Sequence, residues 1–284
     1  MNKFWRVTQE EAGRLGTFLQ QKLPQLSAKR IKRLLDLYGC RVNGVAEHFA
    51  SRSLRAGDTV SWEIVEVAHE NKSHCIWEDE DLLVIDKAAG LRSEIDAIKS
   101  AYGYSQELHL VHRLDAPTSG VMILAKNGPA RKQLERQFAE RSVQKTYLAV
   151  IEGLPKLSCG TVDKPLRHAM QQGGKTIWRV ARDGEGLMAQ TAYTCLAYGA
   201  HHTLVECRPV TGRTHQIRVH LHHLGHPIVG DGVYHVGNKK RSQGRLLLHA
   251  RSIALQHPRS GDPLFFESEV PADMQAQIDQ LIEP

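Results

Sequence analysis

The sequence predicts an α+β protein built from two units, and three observations lead there. Short apolar runs of strand length recur along the chain, and segments of helical periodicity fall between them. A polar, aperiodic stretch at 68–75 then separates a small N-terminal part from a large C-terminal one. At 284 residues the chain is long enough for one large domain and a small one. Its 41% hydrophobic and 24% charged residues are ordinary for a globular protein and argue against wholesale disorder. No apolar run approaches the roughly 20 residues of a membrane-spanning helix, so no membrane partner is expected. The opening residues run into Gln9-Glu10-Glu11, and no signal peptide is expected. Cys40, Cys75, Cys159, Cys195 and Cys207 are scattered and form no C-x-x-C pair, which points to a reduced, cytoplasmic compartment. The net charge of +6 suits a polyanionic partner without requiring one.

The first unit spans 1–67, with clear signals from Arg6 onward. A helix is expected over 13–23, closed by Pro24, and a second begins at Ser27, a good N-cap. Ile31, Leu34 and Leu35 give this second helix an apolar face, and Gly39 stops it. The other face carries Lys29, Arg30, Lys32 and Arg33 against Asp36 alone. Such a face is either solvated surface or a footprint for nucleic acid, and charge by itself leaves both open. A strand and turn follow at 40–44, with Asn43-Gly44 as the turn signal, and 54–60 leads into a strand reaching Val67.

The second unit, 76–284, follows the linker at 68–75. Strands are expected at 82–85, 108–111, 121–125, 147–151, 191–197, 203–207 and 246–248. The run at 121–125 has no polar alternation, which fits a strand buried on both faces. The clearest helix covers 127–141. Asn127 can cap it, Pro129 suits its first turn, and Ala130, Leu134 and Phe138 line one face.

Chemistry concentrates in His112-Arg113-Leu114-Asp115-Ala116-Pro117-Thr118-Ser119-Gly120, a turn between two apolar runs. An ionised Asp115 beside buried strands is costly unless a cation or donors hold it. It is either a turn residue capping nearby amides or a functional carboxylate. Three segments offer partners. In Lys145-Thr146-Tyr147, period-two alternation puts Lys145, Tyr147 and Ala149 on one face, where Tyr147 can stack on a planar ring or simply pack. In 209–221, Gly212 suits a tight turn and Thr214 can cap a helix whose face is Ile217, Leu221 and Leu224 until Gly225. Arg213 and Arg218 then lie near the helix's N-terminal half, a favourable place for anions. The third is the turn-rich 225–231, with a strand at 247–250. Five histidines between His215 and His226 raise a metal site, but Gly225 separates His222 from His226 and no carboxylate or cysteine joins them. No metal is expected.

These segments together carry a resemblance. V-I-D-K-A-A-G (84–90), H-R-L-D-A-P-T-S-G (112–120), K-T-Y (145–147), T-G-R-T-H-Q-I-R-V-H-L (211–221), G-H-P-I-V-G-D (225–231), L-L-H-A (247–250) and H-P-R-S-G (257–261) occur in order. Over 84–271 the chain resembles the RluA-type pseudouridine synthases. In the first unit, S-x-x-R-I-x-x-L-L, R-V-N-G and L-x-x-G-D-T-V resemble the small RNA-binding domain of ribosomal protein S-four. The resemblance implies a catalytic domain with a mixed, largely antiparallel sheet and flanking helices, preceded by a small α/β domain. It implies isomerisation of uridine in structured RNA, with ribosomal RNA first and transfer RNA second, no metal or organic cofactor, and a monomer. It makes Asp115 the catalytic carboxylate, Arg218 its partner and Tyr147 the residue stacked on the uracil. Arg113 would enter the RNA stack, Val219 would wall the pocket, and Arg213 with Lys29, Arg30, Lys32 and Arg33 would contact RNA. Ala88, Leu91-Arg92-Ser93-Glu94 and Ala116-Pro117 depart from the usual pattern and bear on loop shape and RNA choice. Leu15-Gly16 and Ala28 depart from the S-four-like pattern.

The reaction explains the residue types. The ribose–nitrogen bond breaks, the ring turns, and ribose joins ring carbon 5, so no redox group is needed. A carboxylate serves as nucleophile or as base toward the ribose, and a cation at contact distance would keep it ionised. The uracil must leave its stack, and stacking on Tyr147, worth ~1–3 kcal/mol, offsets part of that cost. Two other classes compete: a non-catalytic RNA-binding or assembly factor, and a metal-dependent hydrolase built on the histidines. Retention of Asp115, Tyr147 and Arg218 argues against the former.

Overall fold

The computed structural model describes residues 2–24, 28, 31–32, 35, 39–63, 75–172, 175–182, 184–235 and 244–282. Its N-terminal part contains β1 (Asn2–Arg6), β2 (Gly13–Arg14), α1 (Leu15–Lys22), β3 (Cys40–Val42), β4 (Val45–Glu47), β5 (Ser53–Leu54) and β6 (Thr59–Glu63). Four strands form an antiparallel sheet in the order β1-β6-β3-β4. Helix α1 buries Leu15, Phe18 and Leu19 in a core with Ile31, Leu35, Val60 and Trp62. The β3–β4 turn has Asn43 at φ 53° and Gly44 at φ 75°, the left-handed pair that a two-residue hairpin requires. The expected helix at 13–23 begins only at Leu15, because Gly13 and Arg14 pair with β5. Strand β1 was not expected, yet it pairs with β6 along its whole length. Gly39, at φ 67°, donates its N–H to Leu35, as a helix stop should. Ser27, Lys29, Arg30, Arg33, Leu34 and nearly all of the expected linker lie outside the described residues.

The second part continues with β7 (Cys75–Glu78), β8 (Leu82–Lys87), α2 (Ile95–Tyr102), β9 (His109–Leu110), β10 (Ser119–Ala125), α3 (Gly128–Ala139), β11 (Gln144–Glu152) and β12 (Cys159–Asp163). It ends with β13 (Leu166–Gln172), β14 (Lys175–Val180), β15 (Gln190–Tyr198), β16 (His202–Pro209), α4 (Gln216–His223), β17 (Leu248–Gln256), β18 (Pro263–Glu267) and α5 (Ala272–Ile282). The main sheet runs β12-β15-β16-β11-β17-β10-β8-β7, with β18 on β17 and β9 on β10. Among its described pairings only β10–β17 is parallel. The architecture is therefore α+β around a mixed, largely antiparallel sheet. Among the described residues no helix is long and apolar enough to cross a membrane.

Strand β10 organises this sheet, and all of its residues are buried, as its unbroken apolar run requires. Val121, Ile123 and Ala125 face α3 through Ala130 and Leu134. Met122 and Leu124 face the other way, toward Ile98 of α2 and Leu114. Helix α3 starts as its sequence dictates, Asn127 Oδ1 accepting the Ala130 N–H at 2.9 Å. The strand expected at 108–111 shrinks to His109–Leu110 and is only half-buried. It has room for two pairings, Leu110 with Leu124 and His109 with Ala125, because β17 takes the other end of the same edge at Ser119 and Gly120. Between them the Ile123 N–H is accepted by the His112 ring at 2.9 Å, so a side chain fills the gap in the ladder.

The parallel contact depends on Gly120. Its φ is 114°, and a Cβ there would lie 2.2 Å from the Ala250 carbonyl oxygen. Gly120→Ala should therefore destabilise the protein by ~3 kcal/mol or more, combining left-handed strain with a backbone clash. Urea denaturation of the purified variant checks this, and an unchanged midpoint would contradict it.

Candidate active site

Asp115 is positioned by its neighbours in the chain before any distant group acts on it. Leu114 is buried against Leu91, Ile98 and Met122. Its backbone is clamped on both sides by Ser93, whose hydroxyl donates to the Leu114 carbonyl at 2.7 Å and accepts its N–H at 3.1 Å. Thr118 N–H donates to the Asp115 carbonyl at 3.0 Å and closes the turn. Gly90 N–H donates to the Ala116 carbonyl at 2.6 Å. The buried Lys87 ammonium gathers the carbonyls of Leu91 at 2.8 Å, Ala88 at 3.1 Å and Ala116 at 3.4 Å. The 88–93 segment, where the sequence departs from the family pattern, is thus the bed of the Asp115 loop. His112 stacks on Phe138 with 5.0 Å between ring centres. Burial, reinforced by the Lys145 charge, holds His112 down to about 3, so it is neutral and free to accept from Ile123.

The distant group is Arg218. It lies on the inner face of α4 with only 5% of its side chain exposed. Nε and Nη2 donate to the two oxygens of Asp231 at 2.8 Å each. Nη1 donates to Asp115 Oδ2 at 3.0 Å. Asp231 is itself fixed, its Oδ1 accepting the N–H groups of Val233 at 2.9 Å and Tyr234 at 3.1 Å. The fork-on-fork pair therefore sets the plane of the guanidinium and aims its remaining edge at Asp115. Burial opposes charge on Arg218, but the charge and hydrogen bonds of Asp231, and then of Asp115, outweigh it and hold the guanidinium protonated. The same guanidinium keeps Asp231 below the usual carboxylate range against the penalty of burial. Arg218 was expected near a helix end that favours anions; the anions it meets are the protein's own.

The loop before α4 differs from its expected form. Thr214 is exposed, and the cap position falls to His215, which sits in the left-handed region at φ 56° without a capping bond. Gln216 ties the start of the helix instead, its Oε1 accepting Thr211 Oγ1 at 2.6 Å and Arg213 N–H at 3.0 Å. Leu224 is 39% exposed because α4 has already ended at His223.

Asp115, Tyr147 and Arg218 meet in an open cleft of about 1760 Å³, which Arg113, Lys145 and Arg213 also line. Tyr147 reaches it from β11, beside a bulge in β17 where the pairing passes from Ser252 to Ala250 and skips Arg251. Burial, together with the Asp115 charge, raises the Tyr147 phenol well above its usual value, so it stays protonated. Lys145 comes from the same strand, as the alternation implies. Burial brings its ammonium down to about 8, and its hydrogen bond goes to the Thr211 carbonyl at 3.4 Å. Arg113 is exposed and, among the described residues, makes no hydrogen bond or ion pair. Arg213 donates to the Met188 carbonyl at 3.0 Å. Lys32, exposed, also borders the cleft. Val219 is buried with Leu166, Ala189 and Tyr234, behind the residues that face the opening. Sequence reasoning assigned no role to Asp231, His215, Lys145 or Tyr234, although the first three lie inside motifs it quoted.

The histidines from His215 to His226 are dispersed. His220 bonds to Thr191 and the Lys164 carbonyl, His222 to the His235 carbonyl, and His226 to the Glu152 carbonyl. Among the described residues the one group of three metal-competent side chains is Asp79, Asp81 and His257. His257 bonds to Asp79 at 2.7 Å there, and Arg259 holds Asp81 at 2.7 Å.

Comparison with known proteins gives the family. A sequence profile of the RNA pseudouridylate synthase family matches residues 81–223, which include Asp115, Tyr147 and Arg218. Ribosomal large subunit pseudouridine synthase D of Zymomonas mobilis is 33% identical over 97% of this chain and 96% of its own length. Ribosomal large subunit pseudouridine synthase C of Escherichia coli is 31% identical over 98% of this chain and 96% of its own length. The solved structure of human RNA pseudouridylate synthase domain containing 4 superposes with a TM-score of 0.60 at 30% identity, covering 73% of this chain and 92% of that one. This chain belongs to the RNA pseudouridylate synthase family. Its reaction is the isomerisation of uridine in RNA to pseudouridine.

Two outcomes follow from the buried charges. Asp231→Ala strands the Arg218 guanidinium and should cost ~3–5 kcal/mol of stability, read as a lower urea midpoint. His112 also makes stability depend on pH. Its folded value of about 3 lies below its ordinary 6.5, so the unfolded chain takes up the proton first. This contribution is complete above pH ~6.5 and is lost as pH falls toward ~3. His249, held at about 4 by burial, acts in the same direction. Urea midpoints measured from pH 7.5 down to 4.5 should fall, and less steeply in His112→Gln, whose amide oxygen can still accept the Ile123 N–H.

Proposed function

We propose that this enzyme modifies uridine in large-subunit ribosomal RNA, with Asp115 as the reacting carboxylate. The observation that carries the reading is the 3.0 Å contact between Arg218 and Asp115, made by a guanidinium whose other two nitrogens are occupied by Asp231. A carboxylate so held is a fixed anion at the base of a cleft with more basic than acidic lining. It attacks ribose C1′, or takes the C2′ proton, as the bond from C1′ to ring N1 breaks. The uracil turns and C5 bonds to C1′ as the Asp115–C1′ bond breaks, or as the proton returns to C2′; the proton leaves C5, and N1 gains one. No atom or electron comes from a second substrate. Tyr147, protonated and beside Asp115, stacks on the released ring and offers its hydroxyl as a donor.

The names of the relatives support ribosomal RNA as the substrate. Arg113, exposed at the cleft with no protein partner described, is the cation best suited to fill the gap left in the RNA by the departed base. Arg213 takes a neighbouring phosphate. The 1–67 unit binds RNA through Lys29, Arg30, Lys32 and Arg33. Val219 shapes the pocket from behind, through Tyr234. The enzyme works in the cytoplasm as a monomer without metal or cofactor, a reading that rests on the family resemblance alone.

Pseudouridine mapping in RNA from a deletion strain, complemented with wild type or Asp115→Ala, tests the proposal. At least one large-subunit uridine should lose its modification in the strain and regain it only with wild type. Restoration by Asp115→Ala would remove Asp115 from the chemistry, and a dependent site in transfer RNA alone would replace the substrate. Tyr147→Ala should slow single-turnover modification by ~10- to 100-fold, the stacking contribution expressed as a rate. Deleting residues 1–67 should weaken RNA binding and flatten its salt dependence, because phosphate contacts are lost. Equal affinity and slope would exclude the unit from binding.

A further inference from the structure

We propose that Lys145 is a phosphate site inside the cleft: its ammonium pairs with a phosphodiester of the RNA strand that carries the target uridine. The inference rests on Asp115 and Tyr147 being the residues that receive that uridine. Lys145 stands two residues before Tyr147 in β11, so strand geometry sets their Cβ atoms on one face about 7 Å apart. Both side chains line the cleft.

The Lys145 ammonium is short of partners. It carries three donors, and among the described residues its one hydrogen bond goes to the Thr211 carbonyl at 3.4 Å, longer than such bonds usually are. It lies against the turn before α4, where a Cβ on Gly212 would be 3.8 Å from Nζ. Among the described residues no carboxylate forms an ion pair with it. Burial brings it down to about 8, and no neighbouring acid offsets that effect. The His112 ring nearby is neutral and supplies no counter-charge.

Other cations of this chain show what is missing. Lys22 and Lys126 are also half-buried, and they hold Glu11 at 2.5 Å and Glu78 at 2.6 Å. The buried Arg218 has two carboxylates. An ammonium is a compact, strongly hydrated charge, and stripping part of its water without supplying an anion is costly. Lys145 is half-buried and open to the cleft, so its counter-ion is something that enters the cleft. RNA brings one kind of anion, the phosphodiester, whose oxygens accept short charge-assisted hydrogen bonds. A uracil carbonyl would offer an acceptor without the charge.

Total RNA from the deletion strain, carrying tritium at C5 of uridine, reads the productive complex, because tritium leaves C5 as pseudouridine forms. Single-turnover release is measured over a range of enzyme concentrations and at several salt concentrations. Lys145→Met should raise the enzyme concentration for half-maximal rate ~10-fold at low salt, a loss larger than that in the saturated rate. The dependence of that concentration on salt, as a log–log slope, should weaken by ~0.7–0.9, the share of one phosphate contact. Lys145→Arg keeps the charge and should keep most of the wild-type slope. A raised half-maximal concentration with the wild-type slope would make the ligand a neutral acceptor such as a uracil carbonyl. A loss confined to the saturated rate would place Lys145 in the chemistry, and wild-type behaviour would leave it a prop for the Thr211 turn. Each of these three results overturns the inference while an inactive Asp115→Asn keeps the underlying reading. Tritium release by Asp115→Asn would instead remove that reading. Thermal unfolding confirms that each variant is folded, and Lys145→Gln takes the place of Lys145→Met if the latter is not.

Discussion

The site depends on one guanidinium serving two carboxylates. Arg218 is buried, and an unpaired charge there would be prohibitive. Asp231 removes that cost with a two-toothed pair and with two backbone N–H groups on its own oxygen. Once the pair exists, the guanidinium has no rotational freedom left. Its third nitrogen then presents a fixed positive edge to the cleft, and Asp115 takes it. The edge that meets Asp115 is thus aimed by Asp231, whose side chain is closed to solvent. This is electrostatic preorganisation: the donors are in place before the substrate arrives.

The surrounding fold keeps both carboxylates at that distance by close backbone packing. Asp231 follows Gly230, where a Cβ would lie 1.9 Å from the Arg245 carbonyl oxygen. The Asp115 turn runs into Gly120, where a Cβ would lie 2.2 Å from the Ala250 carbonyl oxygen. Both loops are therefore pressed against the segment that enters and begins β17. Lys87, Ser93 and Leu114 fix the Asp115 turn from the opposite side. The sheet's parallel contact lies between these anchors, and the proposed site sits where two loops converge on one strand.

What the sequence made legible follows from how local each signal is. The burial of β10 was readable because both of its faces pack on helices, leaving an apolar run without alternation. Asn127 and Asn43-Gly44 were readable because caps and hairpin turns are decided within a few residues. Asp115, Tyr147 and Arg218 were assembled through resemblance, since their contacts span 103 residues for Arg218 and Asp115 alone. Asp231 went unassigned because an aspartate after glycine looks like turn chemistry, and only folding brings Arg218 to it. The left-handed His215 left no trace in the pattern, so Thr214 looked like the cap. The β13–β14 hairpin escaped because it is polar and exposed in part, and β7 and β18 because their apolar runs are too short to show a period.

A double-mutant cycle on Arg218 and Asp231 tests the central claim most directly. Single-turnover rates would be measured for Arg218→Lys, Asp231→Asn and the pair, each shown to be folded. If Asp231 acts through the guanidinium, Asp231→Asn slows the wild-type enzyme but adds little to Arg218→Lys, because lysine cannot make the forked contact. If the two losses instead multiply independently, Asp231 does not orient Arg218 for Asp115 and the account is wrong.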